Sequence, residues 1–152
     1  MKKRVFLKKS HFLFSLLAIL LTSCEIHIED HGDHYEDSIV GSWTFDQVLL
    51  DYGSNTVNIT ADYDDFVLEL YGDEYAKLRD RHTGQTFTGT WELFYFDGYG
   101  EHSDYHLELR LHDSFSGEHF NINGVDVDIS GSFMYFDEAY NSDYYSYRLK
   151  RY

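Results

Sequence analysis

The sequence has 152 residues and a formal charge of −15, with 27 acidic residues against 12 Lys and Arg, no proline and a single cysteine. This length fits one domain with a short additional segment. The acidity argues against binding to DNA, RNA or anionic lipid headgroups, which need cationic side chains, although it is equally typical of a soluble, self-repelling surface.

The first 23 residues are basic and then apolar, and they contain no acidic residue. The basic residues are Lys2, Lys3, Arg4, Lys8 and Lys9. The apolar run that follows, 12–21, is too short for a membrane-spanning helix, which needs ~20 apolar residues. We therefore expect residues 1–23 to be a cleaved export signal. Its removal leaves seven basic and 27 acidic residues, a formal charge of −20.

A lone cysteine is unusual in an exported protein, because oxidising compartments favour paired cysteines. Cys24 ends the run Leu21-Thr22-Ser23-Cys24, which resembles the lipobox of bacterial lipoprotein precursors. The resemblance implies that Cys24 becomes an acylated N-terminus after cleavage. Several acyl chains hold a protein on a membrane essentially permanently, so we predict a lipid anchor at Cys24.

Residues 24–38 are acidic, rich in histidine and poor in apolar residues. Such a segment buries too little surface to offset its ordering entropy, which is typical of a flexible tether. An acidic stretch directly after the lipidated cysteine also resembles the surface-export signals of some Gram-negative lipoproteins. It implies an outer-membrane protein displayed on the cell surface, with a periplasm-facing anchor as the alternative.

Four side chains of this tether are candidate metal ligands, namely His27, His31, Asp33 and His34. Imidazole and carboxylate groups suit Zn²⁺ or Ni²⁺. Their spacing presents one face only in a helix, however, and Gly32 disfavours a helix at this point. We favour the alternative, a solvated tether without a metal ion.

From residue 39 to residue 152 the composition is that of an antiparallel β-protein, rich in aromatic and β-branched residues, with turn residues at short intervals. Alternating runs such as 105–112 predict eight or nine short strands without a crossover helix. Closure into an up-and-down antiparallel barrel of about eight strands removes the two free edges of such a meander. The all-β barrel is therefore the predicted fold, and a two-sheet sandwich is the alternative.

The strongest local turn signal in this domain is Asn123-Gly124. Asn-Gly fits the two positive-φ positions of a type I′ hairpin. Such a hairpin pairs Ile122 with Val125 and places both on one face. We therefore predict a two-residue turn between two strands here.

Two short motifs resemble those of lipocalins and of small lipocalin-like domains in bacterial lipoproteins. Gly41-Ser42-Trp43 resembles the Gly-x-Trp motif that opens the first lipocalin strand, and Gly89-Thr90-Trp91-Glu92-Leu93 resembles a central motif. The resemblance covers residues 39–152. It implies that Trp43 closes the barrel floor against an arginine near the last strand, either Arg148 or Arg151, through cation–π stacking. A C-terminal helix and a disulfide are missing from the pattern, and ligand binding does not follow from fold alone.

Two functions stay open for such a lipid-anchored barrel. In the first, the barrel binds a small apolar or amphipathic ligand. Its candidate lining residues are Trp91, Tyr95, Phe133 and Tyr135, with plain core as the alternative role for each. In the second, a filled barrel serves as a non-catalytic envelope interaction protein. Its working surface then includes outward aromatic or apolar residues, namely Phe94, Phe96, Met134 and Phe136, which an error in strand register would explain equally well.

Enzymatic activity is the least favoured interpretation. The sequence contains no Gly-x-Ser-x-Gly nucleophile elbow, no metalloprotease helix motif and no phosphate-binding loop. His102, Ser103 and Asp104 have the residue types of a catalytic triad, but triads are built from separated positions. We therefore predict neither catalysis nor a cofactor.

Overall fold

The computed structural model describes residues 33–97 and 103–152. In these residues one short helix, α1 (Asp33–Ile39), precedes nine strands, and a single 3₁₀ turn (Thr60–Asp62) separates the second strand from the third. The strands are β1 (Gly41–Tyr52), β2 (Asn55–Asn58), β3 (Phe66–Leu70), β4 (Tyr75–Asp80), β5 (Thr86–Asp97), β6 (Ser103–His112), β7 (His119–Ser130), β8 (Phe133–Tyr140) and β9 (Asp143–Arg151). No helix among the described residues is long and apolar enough to cross a membrane.

The strands form a closed antiparallel barrel. From β3 to β9 each strand pairs with the next one in the chain, and β1 closes the circle by pairing with both β3 and β9. β2 is an additional strand, paired with residues 49–52 of β1. The predicted all-β, lipocalin-like up-and-down barrel of eight strands is therefore confirmed, and the sandwich alternative is wrong.

The barrel has two ends that carry different connections. The end that we call lower holds α1 and the turns 71–74 and 131–132. The end that we call upper holds the 3₁₀ turn and the turns 81–85, 113–118 and 141–142. The distinction matters because each end is covered by a different set of aromatic side chains.

The inward side chains of the described strands pack into one apolar cluster. Its central members are fully buried, among them Trp43, Leu68, Leu78, Leu109, Met134 and Leu149. Each such burial contributes about 1.5–3 kcal/mol. At the upper end Tyr63, which follows the 3₁₀ turn, packs its ring against Phe45, Phe66 and Tyr147. Side chains thus occupy the interior from the floor to the upper turn.

The floor of the barrel is built around Trp43. Its indole N–H donates a hydrogen bond to the carbonyl oxygen of Ile39 (2.8 Å), which ties α1 to β1. The guanidinium carbon of Arg151 lies 4.6 Å from the centre of the Trp43 ring. Arg151 also donates to the carbonyl oxygens of Ser38 (2.6 Å) and Val40 (3.2 Å). The stacking predicted for Trp43 is therefore present, and its partner is Arg151.

β7 runs through Asn123-Gly124 without a turn, so the predicted hairpin is wrong. The strand changes partner instead: residues 119–124 pair with β6, and residues 125–130 pair with β8. A bulge with positive φ at Asp126 (54°) follows the change. A Cβ atom on Gly124 would lie 2.9 Å from the Phe136 ring. The glycine therefore permits close ring packing where a continuous strand bends.

The change of partner leaves two places in the wall where two adjacent described strand segments are not paired with each other through their main chains. The upper seam separates residues 119–123 of β7 from residues 138–140 of β8. The lower seam separates residues 125–130 of β7 from residues 103–106 of β6. Unpaired backbone groups in such places need other partners, since burying them unsatisfied is costly.

A buried carboxylate closes the upper seam. Glu138 is 7% exposed. One of its oxygens accepts a hydrogen bond from the backbone N–H of Asn123 (2.9 Å), and the other accepts one from the Tyr147 hydroxyl (3.2 Å). The side chain of Glu138 thus takes the place of a main-chain acceptor on β8.

A tyrosine from the N-terminal helix closes the lower seam. The hydroxyl of Tyr35 donates to the carbonyl oxygen of Val127 (3.2 Å) and accepts from the backbone N–H of Ile129 (3.0 Å). Its ring stacks on Tyr105, with centroids 4.0 Å apart and planes within 7°. α1 is therefore part of the barrel wall as well as part of its floor.

The strand faces predicted for β8 are reversed in the structure. Met134 and Phe136 are buried in the core, whereas Tyr135 is 38% exposed and Phe133 lies on the same outer face. A shift of one residue exchanges the two faces of a strand. The sequence pattern does not define which face of β8 is buried, because apolar residues occupy four consecutive positions, 133–136.

Candidate functional site

The outer face of β5, β6 and β7 brings together side chains that point to a binding surface. Phe94 on β5 lies opposite His106 on β6. Farther up β6, His112 lies opposite His119 on β7. Because side chains two residues apart share a face of a strand, this face runs continuously from an aromatic lower part to a polar upper part.

The lower part is an exposed aromatic patch. Phe94 and Phe96 are 40% and 58% exposed. Their ring centres lie 5.4 Å and 5.6 Å from that of His106, so both rings lie close to the imidazole. We call these three residues the Phe94–Phe96 patch. Adjacent large aromatic side chains in water are typical of a surface that contacts a partner. The outward prediction for Phe94 and Phe96 is confirmed, and that for Met134 and Phe136 is wrong.

The upper part is a polar groove of about 430 Å³ on β6 and β7, which we call the β6–β7 groove. Its lining residues are Glu108, Leu109, Arg110, Leu111, His112, His119, Asn121 and Asn123. Arg110 forms an ion pair with Glu108 (2.5 Å) along the same strand. An exposed pair of this kind contributes little to stability. Its consequence is that the groove contains one positive and one negative side chain next to each other.

The loop that closes the groove at its upper end, 113–118, is held by Asp113. Its carboxylate accepts hydrogen bonds from the Phe115 backbone N–H (2.8 Å) and the Ser116 hydroxyl (2.9 Å). Gln85 from the neighbouring loop adds a third (3.1 Å). The bond from the Phe115 N–H is the main reason why the pKa of Asp113 lies below its ordinary value. The loop thus fixes the backbone of the two histidines that flank it.

The four predicted lining residues do not come together. Trp91 is buried, and its indole N–H donates to the carbonyl oxygen of Tyr71 (2.8 Å). Tyr95 is 51% exposed at the lower end. Phe133 and Tyr135 lie on the outer face, so the prediction that they line the interior is wrong.

Arg148, the other candidate for the floor, lies outside the barrel. Its guanidinium donates to Asp46 through Nε (2.6 Å) and Nη2 (2.5 Å). It also lies 5.8 Å from the centre of the Phe133 ring. Arg151 alone therefore takes the predicted place beside Trp43.

The predicted lipidation site and most of the predicted metal ligands lie outside the described part of the chain. This concerns Cys24, His27 and His31. Asp33 and His34 belong to α1, but the structure describes only their backbone. Among residues whose side chains are described, no group of three or more His, Cys, Asp or Glu is arranged to hold a metal ion. The metal prediction for the tether stays a prediction.

Three features of the site and wall were missed by the sequence reasoning: Glu138, Tyr35 and the His112–His119 pair. A signal existed for the pair, since residues 112 and 119 flank one short loop and hairpin register places such residues opposite each other. Glu138 continues the period-two series of Met134 and Phe136, once the correct face is known. Nothing local marks Tyr35, because the hydrogen-bond partners of its hydroxyl lie more than 90 positions away.

Comparison with known proteins identifies no relative of this chain. No protein-family model matches the chain, and neither a curated protein nor a solved structure is significantly similar to it. The fold assignment rests on the strand pairing itself.

Proposed function

We propose that this protein is a lipid-anchored component of a bacterial cell envelope that binds a partner protein through the outer face of β5–β7. The export-signal pattern of residues 1–23 and the lipobox-like run ending at Cys24 support the anchor. The observation that carries the binding function is the Phe94–Phe96 patch, two exposed phenylalanines whose ring centres lie 5.4 Å and 5.6 Å from that of His106.

The packed interior supports an outward rather than an inward function. A ligand pocket for a small molecule usually offers about 300–1,000 Å³ of concave, largely apolar space. In the described strands the inward side chains pack on one another, and the upper end is covered by Tyr63 and its aromatic neighbours. A molecule entering the barrel has to displace these contacts, whereas a partner on the outer face displaces only water.

The charge of the chain indicates the chemistry of the partner. Acidic residues outnumber Lys and Arg by 27 to 12. Glu92 and Glu108 lie opposite each other on the same outer face as the patch. Opposite charges around an apolar centre steer association and suppress wrong partners. We therefore expect the partner to present a basic rim around an apolar contact.

Binding of a small apolar or amphipathic ligand inside the barrel is the second candidate function. The observation that favours it is the fold, since an eight-stranded barrel is compatible with one small ligand. The aromatic rings at the upper end, Phe45, Tyr63, Phe66 and Tyr147, are the groups that such a ligand would meet.

Site-specific photocrosslinking on intact cells of the source bacterium tests the first proposal. Phe96 is replaced by p-benzoylphenylalanine, and Tyr140, which is 63% exposed on β8, receives the same replacement as a matched control. We expect a discrete crosslinked protein from position 96, absent from position 140 and lost when Phe94→Ser is added. Equal products from both positions, or none from position 96, would contradict the proposal.

A further inference from the structure

We propose that His112 and His119 together form a binding site for one divalent transition-metal ion, such as Zn²⁺, at the upper end of the β6–β7 groove. The two residues are direct cross-strand partners on β6 and β7. Both side chains are exposed on the outer face, and their ring centres lie 6.4 Å apart. This inference does not depend on the proposed protein partner.

The strand geometry suits a shared ion. Side chains directly opposite each other on antiparallel strands have Cβ atoms about 4.5–5.5 Å apart. A zinc ion lies about 2.0–2.1 Å from each imidazole nitrogen, which requires the rings to approach slightly from their separation of 6.4 Å. Because both rings are exposed, rotation about their side-chain bonds provides this approach without moving the backbone.

The backbone on which the two histidines stand is already fixed. The loop between them is closed by hydrogen bonds from the Asp113 N–H to the Glu118 carbonyl oxygen (2.9 Å) and from the Gly117 N–H to the Asp113 carbonyl oxygen (2.8 Å). The carboxylate of Asp113 adds the bonds to Phe115 and Ser116. Binding of an ion by both imidazoles therefore requires little further ordering of the chain, so little binding free energy is spent on it.

The surroundings leave room for a cation and tolerate its charge. The groove of about 430 Å³ extends along both strands from the two histidines, so water or a ligand has access to the remaining coordination positions. The nearest cationic group in the groove, Arg110, is paired with Glu108, which lies two residues farther from His112. Imidazole ligands favour Zn²⁺, Ni²⁺ and Cu²⁺ over the oxygen-seeking ion Mg²⁺.

A metal held between two strands has a signature that a metal on the tether lacks. An ion that binds only when β6 and β7 are paired stabilises the folded state and raises Tm as its concentration rises. A rise in Tm that is lost in the His112→Ala and His119→Ala variants therefore separates the proposed site from the tether, whose histidines both variants retain.

The test measures Tm of the protein from residue 25 onward, purified without a histidine tag, in increasing ZnCl₂ and, separately, in MgCl₂. We expect a saturable rise in Tm with Zn²⁺ and none with Mg²⁺. His112→Ala and His119→Ala should each weaken the apparent Zn²⁺ affinity by roughly tenfold or more, since a single imidazole is a poor site. His82→Ala, at an exposed position in the turn 81–85, is the matched control that should keep the rise.

Two results would overturn the site. One is a wild-type Tm that Zn²⁺ leaves unchanged. The other is a rise that persists in both His112→Ala and His119→Ala, which would place the ion elsewhere. Imidazole NMR signals provide an independent readout: we expect those of His112 and His119 to shift together, and movement of other histidine signals alone would contradict the proposal.

Discussion

The upper and lower seams of the barrel present the same physical problem and solve it differently. In each, β7 has backbone groups that no neighbouring described strand pairs with. The upper seam is closed from within the barrel by Glu138, a buried carboxylate. The lower seam is closed by Tyr35, which comes from the N-terminal helix α1 rather than from a strand. A strand that changes partners can therefore be kept in a closed wall by single side chains.

The difference lies in what each closing side chain requires. Glu138 is 7% exposed, and its two oxygens accept bonds from the part-buried Asn123 N–H and the buried Tyr147 hydroxyl, so its loss removes the acceptor of both donors. Tyr35 is only partly buried, and water can replace its hydroxyl more easily. We therefore expect the upper seam to be the more sensitive of the two.

The largest effect is expected for Glu138→Ala. The change leaves the Asn123 N–H and the Tyr147 hydroxyl without their acceptor, and it creates a cavity among aromatic rings. Together these cost about 2–4 kcal/mol in the free energy of unfolding. Glu138→Gln, which keeps an acceptor and the side-chain volume, should cost less than half as much. Urea unfolding of both variants measures this, and equal losses would show that charge rather than hydrogen bonding closes the seam.

Gly124→Ala tests the point where β7 passes from one seam to the other. The new methyl group would meet the Phe136 ring at 2.9 Å. Such overpacking costs about 1–3 kcal/mol. Gly72→Ala is the matched control, because a Cβ there has nothing within 4 Å. Thermal unfolding of the pair measures the difference, and a neutral Gly124→Ala would mean that the bend does not need close packing.

Tyr35→Phe breaks the lower seam while leaving the ring on Tyr105. Two hydrogen bonds are lost, and we expect destabilisation by about 1 kcal/mol. Amide hydrogen exchange gives the local readout: Ile129 should exchange faster, and Asn123, in the upper seam, should not. Tyr140→Phe, at a 63% exposed position, is the control. Unchanged exchange at Ile129 would show that Tyr35 does not seal the wall.

The smallest effect at neutral pH concerns the phenol proton of Tyr147. Its effect on the free energy of unfolding grows as the pH rises. Burial raises its pKa well above the ordinary value of 10.0, and nearby Tyr63 and Glu138 raise it further. The folded state therefore holds this proton more tightly than the unfolded state. Its contribution to stability is complete below pH 10 and is lost as pH rises above it, by up to about 1.4 kcal/mol per pH unit.

Urea midpoints between pH 8 and pH 11 measure this loss. We expect the decline above pH 10 to be shallower in Tyr147→Phe than in the wild type, whatever the variant's stability at pH 8. Burial also raises the pKa of Tyr35, so part of the alkaline decline should remain in the variant. Equal slopes in both proteins would contradict the assignment to Tyr147.

The barrel was predictable from the sequence because alternation is read over many strands at once. β6 shows this best: Leu107, Leu109 and Leu111 alternate with polar residues, and the structure buries all three. The floor was predictable too, since the resemblance at Gly41-Ser42-Trp43 indicated an arginine partner. The choice between Arg148 and Arg151 depended on register within β9, which no local pattern defines.

The errors arose where one local signal has two structural meanings. Asn-Gly suits a tight hairpin, but at Asn123-Gly124 it marks a bend where β7 changes partners. Phe133 and Tyr135 fit an inward series as well as Met134 and Phe136 do, so only the pairing with β9 decides the face. The candidate site is predictable to the same extent. Alternation predicts that Phe94 and Phe96 point outward, whereas the contact between His112 and His119 can be predicted only from the register of the hairpin.

The barrel is filled by its own side chains, and we propose that it acts through its outer face. Native mass spectrometry of the chain from residue 25 onward, purified without detergent and then exposed to excess palmitate, tests it most directly. We predict the mass of the polypeptide alone, both before and after palmitate is added. A discrete adduct that is released on unfolding, and that is lost in Tyr63→Asp at the upper end of the barrel, would contradict this proposal and establish an interior ligand site.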